Sequence, residues 1–246
     1  SVRRYLVGRA SHQDGQYWPL ITRVRIFGRF EVLKNGVVLV DLPGLNDPNP
    51  AREQVTKKYL QDARYIWLIC NSQTGIDRVF TQVLRENGLL FRLFLEGRLD
   101  AFSVVTTRVD DVNVEEVLSE MGLDSESFDG NYEIPMNYRR EAISKHIHKH
   151  LVAIAEDIVV KAESSEARES FLRRVRAIPV FSVSTAAYLH QIGRMPLYGG
   201  LKLSLDESQV PQLVEHLHTI TRLQSYKVQV EAASRRLQVL YEQVKS

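Results

Sequence analysis

The chain has 246 residues, of which 44% are hydrophobic and 25% are charged, and its formal net charge is +2. This composition is typical of a globular protein with a sizeable core, and it excludes a disordered tail, a collagen-like repeat and a disulfide scaffold. The near-balance of charge gives no general signature of nucleic-acid binding. The single cysteine, Cys70, cannot form an intrachain disulfide, which favours a reducing compartment, the cytosol or the nucleus.

The first half of the chain alternates between predicted strands and predicted helices. Residues 21–27 alternate apolar and polar side chains and lead through Lys34-Asn35-Gly36 into an apolar run, which predicts a hairpin with an antiparallel edge strand. Short apolar runs predict buried parallel strands over residues 36–41, 65–70, 101–106 and 178–184, and helical spacing predicts helices over 51–63 and 79–95. This order is typical of an α/β fold with a mainly parallel sheet.

Residues 111–177 interrupt this alternation and predict a helical insertion. Residues 122–137 are polar and predict a loop, whereas 138–176 predict one long helix or two. The C-terminal segment has apolar residues at steps of three or four from Leu213 to Val244, which predicts a long helix. Because that helix has no terminating glycine and the chain starts at a serine without a methionine, we expect a chain cut at both ends.

The first candidate motif is Asp41-Leu42-Pro43-Gly44, at the end of the first predicted buried strand. The carboxyl ends of parallel strands are where α/β sheets bind ligands, and a glycine lets its backbone N–H approach an anion closely. In nucleotide hydrolases an aspartate here holds Mg²⁺, usually through water, and the glycine meets the γ-phosphate. The alternative is a strand that simply ends in a Pro-Gly turn.

The second motif is Thr107-Arg108-Val109-Asp110, which follows the third predicted strand. Guanine presents two adjacent donors, N1–H and the 2-amino group, and one carboxylate accepts both, whereas the N1 acceptor of adenine repels a carboxylate. Asp110 therefore predicts guanine rather than adenine, with the Arg108 stem lying across the base. The alternative is that Asp110 and Asp111 cap the start of a helix.

The third motif is Phe181-Ser182-Val183-Ser184-Thr185-Ala186, at the end of the last predicted strand. Small residues there let backbone N–H groups reach the base oxygen, and we expect Ser184 to brace the Asp110 loop. By itself, this motif carries almost no information about function. The order of the three loops along the chain is the order expected of a GTPase.

Together with an upstream Tyr17-Trp18-Pro19-Leu20, these motifs resemble the large dynamin-type GTPases, and among them the germinal-centre-associated nuclear GTPases. The resemblance covers about residues 17–110 and 178–223. It implies a P-loop-GTPase-like three-layer sandwich with a helical stalk, which hydrolyses GTP with Mg²⁺. The implied nucleotide-binding residues are Asp41 for magnesium through water, Gly44 for the γ-phosphate, Thr107, Arg108 and Asp110 for the base, and Ser184 and Thr185 for the small-residue base loop. Arg108 stands where the family usually has lysine.

The sequence departs from the family pattern in one further respect, because the phosphate-binding motif G-x-x-x-x-G-K-[ST] does not occur in the 246 residues. In the family this loop lies ahead of the hairpin, so the chain is either a fragment of a complete GTPase or a degenerate relative. We expect a fragment that hydrolyses little or no GTP by itself, and we assign no catalytic residue. The predicted organisation is a truncated GTPase core over 1–110 and 178–223, a helical insertion over 111–177, and the start of a stalk over 224–246.

Two alternative hypotheses remain. In the first, the chain is a GTPase-like scaffold that binds proteins and no nucleotide. In the second, it comes from a membrane-remodelling dynamin, although nothing in it resembles a lipid-binding segment. The resemblance implies a homodimer through the nucleotide face, and we predict no nucleic-acid partner. The three histidines at 146, 148 and 150 predict a solvated helix face better than a metal site. His146 and His150 are one helical turn apart, but His148 points about 200° away from His146. Three arginines at 173, 174 and 176 likewise predict a solvated helix face.

Overall fold

A computed structural model describes residues 24–42, 50–73, 83–85, 88–124, 132–160, 164–196 and 202–245. The chain divides into two compact units, residues 1–38 and residues 39–246. In the first unit, the described residues 24–38 hold short 3₁₀ turns within Glu31–Gly36, and none of these residues is buried. The α-helices and strands of the described ranges all lie in the second unit.

The sheet of the second unit has three parallel strands in the described ranges. They are β1 (Ile66–Asn71), β2 (Phe102–Thr107) and β3 (Val180–Val183), in the order β1-β2-β3. Asn71 pairs with Thr107 and Thr107 pairs with Val183, so the three strands end in one row. The predictions of parallel strands at 65–70 and 101–106 are confirmed, and the last strand is shorter than the predicted 178–184.

Seven α-helices are described beside this sheet. They are α1 (Pro50–Asp62), α2 (Leu89–Leu95), α3 (Val114–Glu120), α4 (Glu133–Val159), α5 (Ser165–Arg176), α6 (Thr185–Gln191) and α7 (Val210–Lys245). The predicted helices at 51–63 and at the C-terminus are confirmed. Residues 138–176 form two helices, because the segment between α4 and α5 ends with Ser164, whose side chain caps α5 by accepting the Ala167 N–H at 3.3 Å.

Helices pack on both faces of the sheet, which makes three layers. Phe102 and Val104 of β2 are buried in one core cluster with residues of α2, α4 and α5. Ser103 points to the opposite face, since successive side chains of a strand alternate. There His216 of α7 lies with its Nε2 atom 3.3 Å from the Ser103 hydroxyl, and its ring centroid is 5.0 Å from that of Phe181. The mixed α/β fold with a mainly parallel sheet is therefore confirmed.

The prediction of a buried strand over 36–41 is wrong. Residues 37–42 form no strand in the structure, and the side chains of Val38 and Val40 are 80% and 54% exposed. The physical reason is pairing: within the described ranges β1 has one neighbour, β2, and residues 37–42 have none. An apolar, β-branched run has strand propensity, but a strand also needs a neighbour for its backbone hydrogen bonds.

Three smaller expectations also change. The predicted hairpin is not formed by the described residues, because 24–30 carry no strand and 21–23 lie outside the described ranges. The predicted loop 122–137 ends early, since α4 already begins at Glu133 and takes Pro135 into its first turn, where a missing N–H costs nothing. Of the predicted helix 79–95, the structure describes 83–85 and α2.

No helix in the described part of the chain is both long and apolar enough to cross a membrane.

Candidate functional site

The loops that follow the three strands leave the sheet side by side. The last paired row is Asn71, Thr107 and Val183, and the next residues along the chain are Ser72, Arg108 and Ser184. Two of the three predicted motifs, the ones that contain Arg108 and Ser184, are therefore brought together at the carboxyl edge of the sheet. This edge is where ligands bind in open α/β sheets.

The motif after β2 forms a tight turn. Arg108 has a φ of 59°, in the left-handed region that residues with side chains adopt rarely, and its carbonyl accepts the Asp111 N–H at 3.2 Å. Thr107 precedes the turn and donates its hydroxyl to the carbonyl of Cys70 at 3.4 Å. The Arg108 side chain is exposed.

Asp110 is the third residue of this turn and is only 7% exposed. Among the described residues its carboxylate has no hydrogen bond and no ion pair. The turn therefore presents an acceptor that has no partner in the described part of the chain. A ligand with two adjacent donors would satisfy it.

The motif after β3 is fully buried at its centre. Ser184 accepts the Ala187 N–H at 3.0 Å and so caps α6, while its own N–H donates to the carbonyl of Ser208 at 3.0 Å. The expected brace from the Ser184 hydroxyl to the Asp110 loop is thus replaced by a helix cap. The two loops are joined instead by the backbone, where the Val109 N–H faces the Val183 carbonyl at 3.5 Å. Thr185 begins α6 and is exposed.

The first motif is described only in part. Asp41 is described and exposed, and its carboxylate has no hydrogen bond or ion pair among the described residues, while Gly44 and the segment 45–49 lie outside the described ranges. The described ranges hold no group of three or more His, Cys, Asp or Glu residues that could bind a metal ion. Asp41 is therefore the part of the implied magnesium site that the described residues contain, and its exposed carboxylate could reach an ion through water.

Sequence reasoning missed the residues that support the two joined loops. Ser72 and Gln73 follow β1 and bond the Thr107–Asp111 segment. Gln209, which precedes α7, accepts the Ser182 N–H through its side chain at 3.1 Å. The position of Ser72 and Gln73 could have identified them, because a polar residue just after a predicted buried strand lies at the same edge of the sheet as the predicted motifs.

The histidines on α4 differ in their surroundings. His148 is half-buried and joins α4 to the segment just before β3, with Nδ1 2.9 Å from the Ser144 carbonyl and Nε2 3.0 Å from the Ile178 carbonyl. The expectation of a solvated face is therefore wrong for this histidine. The rings of His146 and His150 are in contact, with centroids 4.5 Å apart.

The cysteine and the predicted arginine face also have defined environments. Cys70 is buried, and burial raises the pKa of its thiol to about 11, as expected for an unreactive core residue. On α5, Arg174 lies 3.5 Å from a carboxylate oxygen of Asp100, and Arg176 lies 3.6 Å from one of Glu169. Both pairs are largely solvent-accessible and are worth little in stability.

A parallel α/β sheet with polar loops gathered at its carboxyl edge is the arrangement in which open α/β domains bind ligands. Residues 2–88 match the dynamin family. The chain is 26% identical over 207 residues to "Nuclear GTPase SLIP-GC" of Mus musculus and 25% identical over 204 residues to the Homo sapiens protein of the same name. It is 31% identical over 91 residues to "Dynamin-like protein 1" of Campylobacter jejuni. These matches agree with the resemblance to dynamin-type GTPases that the motifs indicate.

The coverage of these matches is uneven. The aligned segments are 83% and 81% of this chain for the mouse and human proteins and 37% for the bacterial one. They are 23% of each of the two nuclear relatives and 12% of the bacterial relative, so the chain spans less than a quarter of the curated relatives it matches. No solved structure matches the chain with significance.

Proposed function

We propose that the protein containing this chain binds and hydrolyses GTP, and that the turn after β2 reads the guanine base. The observation that carries the proposal is Asp110, a buried carboxylate without a partner in the described part of the chain, at the carboxyl edge of a parallel sheet. The relatives named as nuclear GTPases support the same assignment.

In this proposal the carboxylate of Asp110 accepts N1–H and the 2-amino group of guanine. The exposed Arg108 side chain lies beside the base, where its apolar stem covers the ring while its guanidinium stays in water. Thr107 starts the turn from the last residue of β2. Ser184 and Thr185 border the base from β3, in a loop that the contact between Val109 and Val183 fixes beside the Asp110 turn.

The phosphate end of the site is proposed from the sequence. Asp41 would reach Mg²⁺ through water and Gly44 would meet the γ-phosphate, with residues 45–49 as the switch, as the resemblance implies. Because the 246 residues contain no G-x-x-x-x-G-K-[ST] motif, they lack that loop's lysine and its magnesium-binding hydroxyl. We therefore propose that these residues alone hydrolyse little or no GTP.

The assembly and location of the protein are part of the same proposal. The resemblance supports a homodimer through the nucleotide face, and the name "Nuclear GTPase" of two relatives supports a place in the nucleus or cytoplasm. Analytical ultracentrifugation with and without a non-hydrolysable GTP analogue tests the dimer. A sedimentation coefficient that does not change with nucleotide would contradict it.

The test of guanine reading is a titration with fluorescent GDP and GTP in the presence of Mg²⁺, with the matching adenine nucleotides as controls. It is made on this chain and on the full-length protein. Asp111→Ala is the matched control for Asp110→Ala, because Asp111 is the adjacent aspartate and is exposed. Losing two hydrogen bonds to a charged group is worth about 3 kcal/mol or more, so Asp110→Ala should weaken guanine binding about 100-fold.

The two outcomes separate the GTPase from the scaffold. Guanine-specific binding by the full-length protein that survives Asp111→Ala and is lost in Asp110→Ala supports the GTPase. Absence of nucleotide binding by the full-length protein would refute it and favour the protein-binding scaffold.

A further inference from the structure

We propose that Ser72 and Gln73, which we call the β1 clamp, are positioning residues that set the guanine specificity of Asp110. Neither residue belongs to the predicted motifs. The proposal rests on the proposed function, because it concerns the same base-reading turn. The proposal concerns the orientation of the Asp110 carboxylate, whereas the proposed function concerns whether this turn binds the base. The two are tested by different variants.

The clamp bonds the turn on both sides of Asp110. The Ser72 N–H donates to the Thr107 carbonyl at 3.1 Å, and the Ser72 hydroxyl donates to the Arg108 carbonyl at 3.2 Å. The side-chain amide of Gln73 donates to the carbonyl of Asp111. Thus the backbone of three of the five residues from 107 to 111 is held by the end of the neighbouring strand.

The turn has a particular need for this support. Arg108 is held at a φ of 59°, which a residue with a Cβ adopts only when the surroundings fix it. Its carbonyl closes the turn by accepting the Asp111 N–H at 3.2 Å and also takes the Ser72 hydroxyl. The Asp110 carboxylate has no partner among the described residues, so its direction is set by the turn rather than by bonds of its own.

The clamp is itself fixed in place. Ser72 is buried, and the Gln73 N–H donates to the side-chain carbonyl of Asn71 at 2.9 Å, which orients the residue that carries the amide. On the opposite side of the turn, the backbone contact between Val109 and Val183 is longer, at 3.5 Å. The β1 side therefore provides the closer and more numerous constraints on the turn.

A consequence for specificity follows from the geometry of the base. A carboxylate must face both N1–H and the 2-amino group to gain both hydrogen bonds, and hydrogen bonds weaken steeply when misaligned. Inosine nucleotides lack the 2-amino group and keep N1–H. Loosening the clamp should therefore reduce the preference for guanosine over inosine nucleotides, while the contacts to the phosphates are unchanged.

The experiment measures the dissociation constants of GDP and IDP for the full-length protein and its variants. Ser72→Ala removes the hydroxyl bond, Ser72→Thr keeps a hydroxyl, and Gln73→Ala removes an exposed side chain whose loss the fold should tolerate. Ser119→Ala, at an exposed position on α3, is the control. Asp110→Ala reports whether the base is read by this turn.

We expect Ser72→Ala and Gln73→Ala each to lower the ratio of IDP to GDP dissociation constants about three- to tenfold, the size of one hydrogen bond. Ser72→Thr should restore the ratio, and Ser119→Ala should leave it unchanged. Equal weakening of GDP and IDP binding, or an unchanged ratio in both clamp variants, would overturn the proposal while Asp110→Ala still abolished guanine preference. A wild-type protein without guanine preference would overturn the proposed function as well.

Discussion

Replacing Ile147 with alanine tests whether the helical insertion is part of the core that holds the site. Ile147 lies on α4 and is 0% exposed, within the cluster that includes the buried side chains of β2. The substitution removes three carbons, and at about 0.8 kcal/mol for each buried carbon the transfer term is about 2.4 kcal/mol. The cavity that remains raises the expected loss to about 3–4 kcal/mol.

The assay is urea and thermal unfolding followed by far-UV circular dichroism. For a chain of this size the expected loss lowers the melting temperature by about 6–15 °C. Ile134→Ala is the matched control, since Ile134 lies on the same helix and is 57% exposed, and it should change stability by less than about 0.5 kcal/mol. Equal effects of the two substitutions would refute the reasoning, because α4 would then not share the core of the sheet.

Three further predictions follow from single contacts. Gln209→Ala leaves the buried N–H of Ser182 without its acceptor and should cost about 1–3 kcal/mol, whereas Gln212→Ala, at an exposed position on α7, should cost little in the same unfolding assay. Burial raises the pKa of Cys70 to about 11, so iodoacetamide at pH 8 should modify the native chain far more slowly than the denatured chain; equal rates would contradict the buried position. Burial lowers the pKa of His216 in the folded chain, so as the pH falls the imidazole is protonated in the unfolded chain before it is protonated in the folded chain. The free energy of unfolding therefore decreases as the pH falls from about 6.5 through the lowered pKa of the folded state. His216→Gln should therefore lose less melting temperature than wild type over that range, and identical pH profiles would show that this histidine is not the cause.

The elements that the sequence predicts correctly are those whose pattern is local. The runs at 65–70 and 101–106 are apolar and short, and both form parallel strands because each has a neighbour to pair with. The apolar stripe of α4 and that of α7 repeat at three and four residues, which predicts the helices from spacing alone. The run at 36–41 has equally strong strand propensity and fails, because propensity says nothing about whether a pairing strand is present.

In the candidate site too, the local pattern predicts some features and the tertiary contacts decide others. The Thr-Arg-x-Asp pattern and its place after a buried strand predict a carboxylate at the carboxyl edge of a sheet, and Asp110 lies there. The sequence predicts that Ser184 braces the Asp110 loop, whereas in the structure its hydroxyl caps α6, and within the described residues the backbone of Val109 and Val183 joins the two loops. A serine hydroxyl bonds whichever donor the fold brings near it, and the sequence does not show which one that is.

The sequence by itself determined the class of fold, the order of the three candidate loops and the resemblance to dynamin-type GTPases, because strand and helix periodicity and short motifs are properties of consecutive residues. Only the tertiary structure decided that Ser72 and Gln73 hold the turn of Asp110 and that His148 contacts the segment just before β3. It also decided that Asp41 is exposed and lies outside any strand. These facts depend on contacts between residues about 30 or more positions apart or on the presence of a pairing strand. Such contacts are fixed by how the elements pack and not by the local pattern.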